Sequence, residues 1–285
     1  MNKKRGSTFY LLMAPVLLWL ILLIVIPHLD MFFRSFRFEN DNGAMVFSLN
    51  NYLAFFEDKI YWLTFLKTAL YSIGVTFLAF VVTFPVAFYL TKVVAKKYSS
   101  FMVLLLLIPI WIGELVTIYG WMILLSDNGV INKFLMNAGL IDSPIVMLYT
   151  NFSMTIGLLY MSMLFMIIPM MSALESLDDS LIEAASDLGA SKWTIFRQII
   201  IPYTTPGIAS GGIIVFMLVI GDYVAPNILG GKSSLWFTEQ IYNKFLATFN
   251  WNEGAAFGFL LLMLSSGIIW LALRFTGQKL EKVGS

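Results

Sequence analysis

The chain has 285 residues, of which 59% are hydrophobic and only 12% charged, and its mean hydropathy is +0.82. Disordered chains need high charge and low hydrophobicity. A soluble globule carries about twice this share of charge, so the composition excludes both and points to a polytopic membrane protein.

The formal net charge is +1, and no basic run exceeds Lys3-Lys4-Arg5, which speaks against nucleic-acid binding. Cysteine is absent and His28 is the one histidine, so disulfides, thiolate sites and histidine-cluster metal sites are excluded.

Six apolar runs are long enough to span a bilayer. They are predicted at about Phe9 to Ile26, Trp62 to Leu90, Phe101 to Leu125, Phe152 to Leu174, Pro206 to Ile220 and Ala255 to Phe275. The first follows three basic residues, as a signal peptide would. Its apolar run is longer than that of a signal peptide and no A-x-A cleavage site follows, so it reads as a retained helix. Lys67, near the start of the second span, is expected to snorkel outward. Pro85, Pro109 and Pro169 are expected to interrupt spans.

With the N-terminus inside, the inner segments hold eleven Lys and Arg and the outer segments six. The positive-inside rule then puts both termini in the cytoplasm. The third span carries Glu114, with Trp111, Tyr119 and Trp121 nearby. A carboxylate among aromatics can attract an organic ammonium. A packing contact between helices, or partial hydration near the outer end, are the alternatives. The outer segment that follows predicts a short amphipathic helix from Val130 to Ala138, with Val130, Ile131, Phe134, Leu135 and Ala138 on one face and Gly139 closing it.

The inner segment from Glu175 to Thr205 is about thirty residues long, and loops of that length are usually functional or separately folded. It predicts a helical hairpin. In the first helix Ser180 and Glu183 form a capping-box pattern, and Leu181, Ala184, Ala185 and Leu188 share a face. Gly189 is placed for a left-handed C-cap. Ser191 caps the second helix, Trp193, Phe196, Ile199 and Ile200 form its apolar face, and Pro202 is expected to stop it. Asp178, Asp179, Glu183 and Asp187 make the first helix acidic, which suits a protein partner better than an anionic leaflet.

Asp222 and Tyr223 fall near the outer end of the fifth span, as path-lining residues or as a loop cap. Beyond them, Gly230-Gly231-Lys232-Ser233 has the look of a phosphate loop. Pro226 stands where that loop needs glycine, and the segment is predicted to face outward, so no ATP site is expected here. A further short helix is predicted within Phe237 to Phe249.

The spacing Glu183-Ala184-Ala185, Gly189, Ile199, Ile201-Pro202 resembles the EAA motif of the membrane subunits of binding-protein-dependent ABC importers. That resemblance implies an all-α type I importer permease fold with six transmembrane helices. It implies that residues 178–202 are the coupling hairpin, docked on a cytoplasmic ATPase through Glu183, Ala184, Ala185, Asp187, Gly189 and Ala190. The permease transmembrane domain would cover 62–275. Residues 1–61 would hold the inner tail, first span and outer loop, and 276–285 a cytoplasmic tail.

Three stretches, Leu104 to Trp121, Asp127 to Pro144 and Gly221 to Gly231, are similar to spermidine/putrescine permeases, more closely the first of that system's two permease subunits. The resemblance runs roughly from Tyr10 to Phe275. It implies a bacterial inner-membrane transport subunit rather than an enzyme. The expected partners are two ATPase subunits that bind ATP and Mg, a second homologous permease and an external binding protein. No cofactor is expected on this chain. Relatives often have a small polar residue and an Arg where this chain has Glu114 and Thr117, and Gly-Glu-Phe where it reads Gly221-Asp222-Tyr223. The translocation path would include Glu114, Trp111, Tyr119, Asp222 and Tyr223. A related opine or amino-acid-like solute is the alternative substrate. An ion-driven secondary transporter is less favoured, because that class often shows inverted repeats and none is visible. A membrane-embedded enzyme lacks a catalytic constellation.

Overall fold

The computed structural model describes residues 7–40, 43–231 and 234–275. The basic run Lys3 to Arg5, the C-terminal tail 276–285, and Lys232 and Ser233 of the loop reminiscent of a phosphate site lie outside them.

Among the described residues five helices are long and apolar enough to cross a membrane, and there are six spans if a sharply bent pair is counted as one. In chain order we label the first helix α1 (7–35). Next come the strands β1 (Arg37–Glu39) and β2 (Met45–Phe47), then α2 (Asn50–Glu57) and α3 (Lys59–Val93). The bent pair is α4 (Lys96–Leu107) and α5 (Glu114–Leu125), followed by the short α6 (Val130–Asn137). The rest are α7 (Asn151–Glu175), α8 (Asp179–Asp187), α9 (Lys192–Gly221), α10 (Phe237–Tyr242) and α11 (Trp251–Phe275).

The chain divides into two compact units. One comprises 1–63 and 240–263. Its aromatic contacts include Phe32 with Phe259 at 5.6 Å, Phe36 stacked on Phe47 at 5.2 Å, and Tyr61 with Phe257 at 4.8 Å. The Asn51 amide donates to the carbonyls of Ser35 and Arg37 at 2.9 and 2.8 Å and ties α2 to the end of α1. Lys244 Nζ meets Glu253 Oε1 at 2.6 Å and lies 5.0 Å above the Tyr61 ring. Burial acts to lower the Lys244 pKa, but bonds to the Glu253 carboxylate and the Tyr61 hydroxyl outweigh it and hold the ammonium above its ordinary range. The antiparallel hairpin of β1 and β2, with Phe38 opposite Val46, is an addition to the all-helical expectation. The turn bond from Gly43 N–H to the Asn40 carbonyl, 2.9 Å, closes it.

The other unit comprises 64–239 and 264–285. Its core is the packing of α7 against α9. Gly207 and Gly211 make that approach possible: a Cβ on Gly207 would stand 2.5 Å from the Pro169 carbonyl oxygen and from Ala173 Cβ. Small residues four apart allow membrane helices to approach closely enough for dispersion contacts to hold them. Met154, Leu158, Met166, Met170 and Leu174 of α7 are fully or almost fully buried.

Several expectations change. The third span is not one helix. Residues Lys96–Trp111 and Glu114–Asn137 meet at 94°. Pro109 supplies no N–H, the chain tightens at Ile108–Trp111, and Ile112 and Gly113 take extended conformations. Pro85 and Pro169, in contrast, sit inside continuous helices.

Pro202 does not stop a helix either. The second helix of the hairpin runs without a break into the fifth span as α9. The turn before the proline widens at Phe196–Ile200, where the Ile201 N–H bonds the Phe196 carbonyl five residues back. The wide turn relieves the clash of the Pro202 ring with the preceding turn. The same device precedes Pro27, with Ile26 bonded to Ile21, and carries the first span on to Ser35 rather than ending it near Ile26.

In α6 the buried residue is polar. Val130 and Phe134 are exposed, whereas Asn132 is fully buried. The Asn132 amide donates to the carbonyls of Ser126 and Ile145 and accepts the Ile145 N–H at 2.9 Å. The need of that loop for backbone partners sets the orientation of the helix.

Lys67 finds a protein partner. Its ammonium donates to the Ser234 carbonyl and faces Glu239. Glu239 in turn accepts from Asn227 and Ser234.

Candidate functional site

Two regions hold the candidate residues. The first is the hairpin of α8 and the start of α9. Its first helix is capped by Asp178, not by Ser180: the Asp178 carboxylate accepts the Ser180 N–H at 3.0 Å. A carboxylate at this position adds charge to geometry at the positive end of the helix. The Ser180 N–H holds the exposed Asp178 carboxyl below the usual range. Gly189 has φ +81°, in the left-handed region, and Ser191 accepts the Thr194 N–H at 3.1 Å.

The orientation of the hairpin faces differs from expectation. Ile182, Ala185 and Ala190 pack against the core, with Ile195 and Ile200 buried behind them. Leu181, Ala184 and Leu188 do share a face, but it points away from the core. Leu188 is 89% exposed and Trp193 67%. Of the motif residues, Glu183, Ala184 and Asp187 therefore point outward, Ala185 and Ala190 inward, and Gly189 turns the chain between them. The exposed Leu188 and Trp193 are residues whose outward role the periodicity could not assign, because an apolar face is ordinarily read as the buried one.

The hairpin is tied to the bundle. Lys92 Nζ, at the end of α3, meets Asp179 Oδ1 and the Leu177 carbonyl, each at 2.6 Å. The Tyr203 hydroxyl donates to the Ser176 carbonyl at 3.0 Å. The Phe84 ring of α3 packs edge-on to Phe196 at 5.5 Å.

The second region is a cavity of about 480 Å³ at the bend of the third span. It brings together three of the candidate path residues, Glu114, Asp222 and Tyr223. Trp111 and Tyr119 are not part of it: Trp111 is 90% exposed at the bend and Tyr119 is half exposed on α5. Trp121 packs edge-on to Tyr160 of α7 at 5.4 Å. Glu114 is the first residue of α5, where the positive end of the helix favours a carboxylate. It is thus a helix-start acid at the bend within the broken third span.

Asp222 lies one residue beyond the end of α9, and its Oδ1 accepts the Val224 N–H at 2.7 Å and the Ala225 N–H at 3.2 Å. Burial pushes its carboxyl up to about 7, the Glu114 carboxylate pushes the same way, and the two N–H groups pull against them. Met161, Ser162 and Phe165 of α7 complete the wall. Ser162 is a wall residue that the sequence reading missed; its signal is a polar residue within an apolar run.

Residues 79–276 match the family of binding-protein-dependent transport system inner membrane components. The spermidine/putrescine transport system permease protein PotB of Salmonella typhimurium (strain LT2) is 34% identical over 98% of this chain and 99% of its own length. PotB of Escherichia coli (strain K12) is 35% identical over 92% of this chain and 97% of its own. The E. coli permease PotC is 37% identical over 28% of this chain and 30% of its own. A crystal structure of a bacterial alginate ABC transporter, in complex with an alginate pentasaccharide-bound periplasmic protein, contains a chain that superimposes with a TM-score of 0.77. Its identity is 19%, covering 97% of this chain and 98% of that one, so the likeness is one of fold. The chain belongs to the family of binding-protein-dependent transport system inner membrane components and is a permease subunit of an ABC importer of the bacterial inner membrane.

Proposed function

We propose that this permease conducts an organic cation of the polyamine class, spermidine or putrescine, from an external binding protein into the cytoplasm. The observation that carries the reading is the cavity at the bend, where Glu114 and Asp222 reach one space from different elements. Two carboxylates there suit a solute with several ammonium groups, and the near-full-length likeness to PotB proteins supports it.

The hairpin is the coupling element. Its outward Leu188, Trp193, Glu183 and Asp187 dock on an ATPase subunit, which binds ATP and Mg, and Gly189 sets the angle of the tip. Closure of an ATPase pair pushes on the hairpin, and the Lys92 tether passes the movement to α3. A second, homologous permease completes the pathway, and both termini face the cytoplasm.

Uptake by the assembled transporter in proteoliposomes, with binding protein outside and ATP inside, tests the substrate. Radiolabelled spermidine or putrescine accumulates, and Glu114→Gln combined with Asp222→Asn reduces uptake at least several-fold. Accumulation of an anionic or neutral solute in place of the polyamines contradicts the reading.

A further inference from the structure

The cavity at the bend takes Leu158, Met161, Ser162 and Phe165 from α7. One helical turn further along the same helix, a second cavity of about 430 Å³ takes Ile168, Met171, Ser172 and Glu175, with Ser99 and Ser100 of α4 opposite. Leu158, Met161, Phe165, Ile168, Ser172 and Glu175 recur at alternating intervals of three and four residues, the spacing of one continuous helix face. A third cavity of about 370 Å³ shares Ser99 and Glu175 with the second and reaches Lys92 and Asp179, the pair that tethers the hairpin. The three spaces thus follow one another along α7 from the bend to the hairpin.

The sides of this row differ in character. Phe165 and Ile168 are the apolar residues where the first cavity gives way to the second. Pro169, next to them, withholds a backbone N–H from the Phe165 carbonyl. Beyond them Ser172, Ser99 and Glu175 bring polar groups into a lining that Val103, Leu104 and Met171 keep mostly apolar. Glu175 is the last residue of α7, where a carboxylate meets the negative end of the helix and weakens it. Among the described residues it makes no ion pair. Helix stability therefore does not account for an acid here.

We propose that this face of α7 is a wall of the solute path, and that Glu175, Ser172 and Ser99 form a second station for the solute's positive group. It lies about 20 Å along the helix from Ser162. Phe165 and Ile168 separate the two stations. Because Glu175 and Ser99 also border the space around the Lys92–Asp179 pair, displacement of the hairpin reshapes this station directly. The inference rests on the reading of the solute as a cation, but its test reads the electrostatics of the wall and not the identity of the solute.

The absence of cysteine makes the test direct. Ser172→Cys and, separately, Ser99→Cys are introduced into the assembled transporter in inside-out vesicles. Each is reacted with thiol reagents bearing a trimethylammonium or a sulfonate group, and modification is read from the mass of this chain. The cationic reagent is expected to react faster by roughly tenfold relative to the anionic one, and Glu175→Gln in the same chain to collapse that ratio several-fold. No reaction at either cysteine, or a ratio that Glu175→Gln leaves unchanged, overturns the proposal.

A second measurement needs no cysteine. Glu175→Gln lowers maximal uptake several-fold while the half-saturating concentration of binding protein stays constant, and unchanged maximal uptake overturns the station. A collapsed reagent ratio in a transporter that takes up no polyamine would retain the wall and reject the polyamine reading. Polyamine uptake with an unchanged ratio would do the reverse.

Discussion

Lys92 and Asp179 form a 2.6 Å ion pair that fastens the first turn of the hairpin to the end of the second span. The lysine side chain is 9% exposed and the aspartate 69%. Pairs open to solvent contribute little to stability, about 1 kcal/mol or less. In the coupling proposed above, the contact is the mechanical link between the hairpin and α3. Lys92 also holds the Leu177 carbonyl, so it fixes backbone as well as charge. Lys92→Met is expected to leave assembly and ATP hydrolysis in place while lowering the solute moved per ATP several-fold. Paired measurement of uptake and phosphate release in proteoliposomes checks it, and an unchanged ratio removes the tether from the mechanism.

The outward face of α8 gives a sharper prediction. Leu188 presents nearly its whole side chain to the surroundings at the tip of the hairpin. Leu188→Asp leaves the core untouched and adds charge where an apolar contact is expected. Co-purification of the ATPase should fall at least several-fold while the thermal stability of the isolated permease stays within about 0.5 kcal/mol, as for other surface changes. Gly189→Val acts differently. No atom crowds its Cβ position, so the cost is the left-handed backbone, roughly 1–2 kcal/mol. A thermal melt separates the two substitutions.

Two glycines one residue apart make a packing test. A Cβ at Gly211 would meet Met166 at 3.2 Å, whereas at Gly212 the nearest atom is 3.8 Å away. Gly207 is tighter still. Gly207→Val should destabilise the permease by about 1–3 kcal/mol or abolish its folding, through overpacking between α7 and α9. Gly212→Ala should be close to neutral. Melting in detergent by size-exclusion chromatography reads both.

The carboxyl of Asp222 predicts a pH dependence. Its value is raised from 3.8 to about 7 in the folded chain. A raised acid favours the protonated form, so its stabilising contribution is complete below about 4 and is lost as pH rises through 7. Attraction of a cation runs the other way, since only the ionised form attracts. Uptake should therefore rise between pH 6 and pH 8, and Asp222→Asn should flatten that slope when both are measured with the same binding protein. A slope that survives the substitution assigns the titration elsewhere.

Much of the molecule was legible in the residues. Apolar runs show where a chain can cross a bilayer, and Gly189 and Ser191 mark a turn because few other residues fit those roles. What stayed hidden depends on tertiary context. Pro202 reads as a helix stop, yet one widened turn lets the helix pass. Glu114 reads as an acid along one continuous helix, yet the break at Ile112 and Gly113 makes it a helix start within the bent span. Leu181 and Leu188 form an apolar face that looks buried, and only the packing of Ile182 and Ala185 shows which side is inward. Ser162 and Glu175 lie on one helix, yet the cavities they line are closed by residues far away in the chain, Asp222 and Ser99, which spacing along one helix does not reveal.

In the proposed mechanism this chain moves solute only when an ATPase drives its hairpin. The direct measurement is spermidine uptake by proteoliposomes containing the permease pair and ATPase, with and without internal ATP and external binding protein. Accumulation is expected only when both are present, and is expected to be lost in a Leu188→Asp chain. Uptake by the permease alone, driven by an ion gradient and indifferent to ATP, would contradict it.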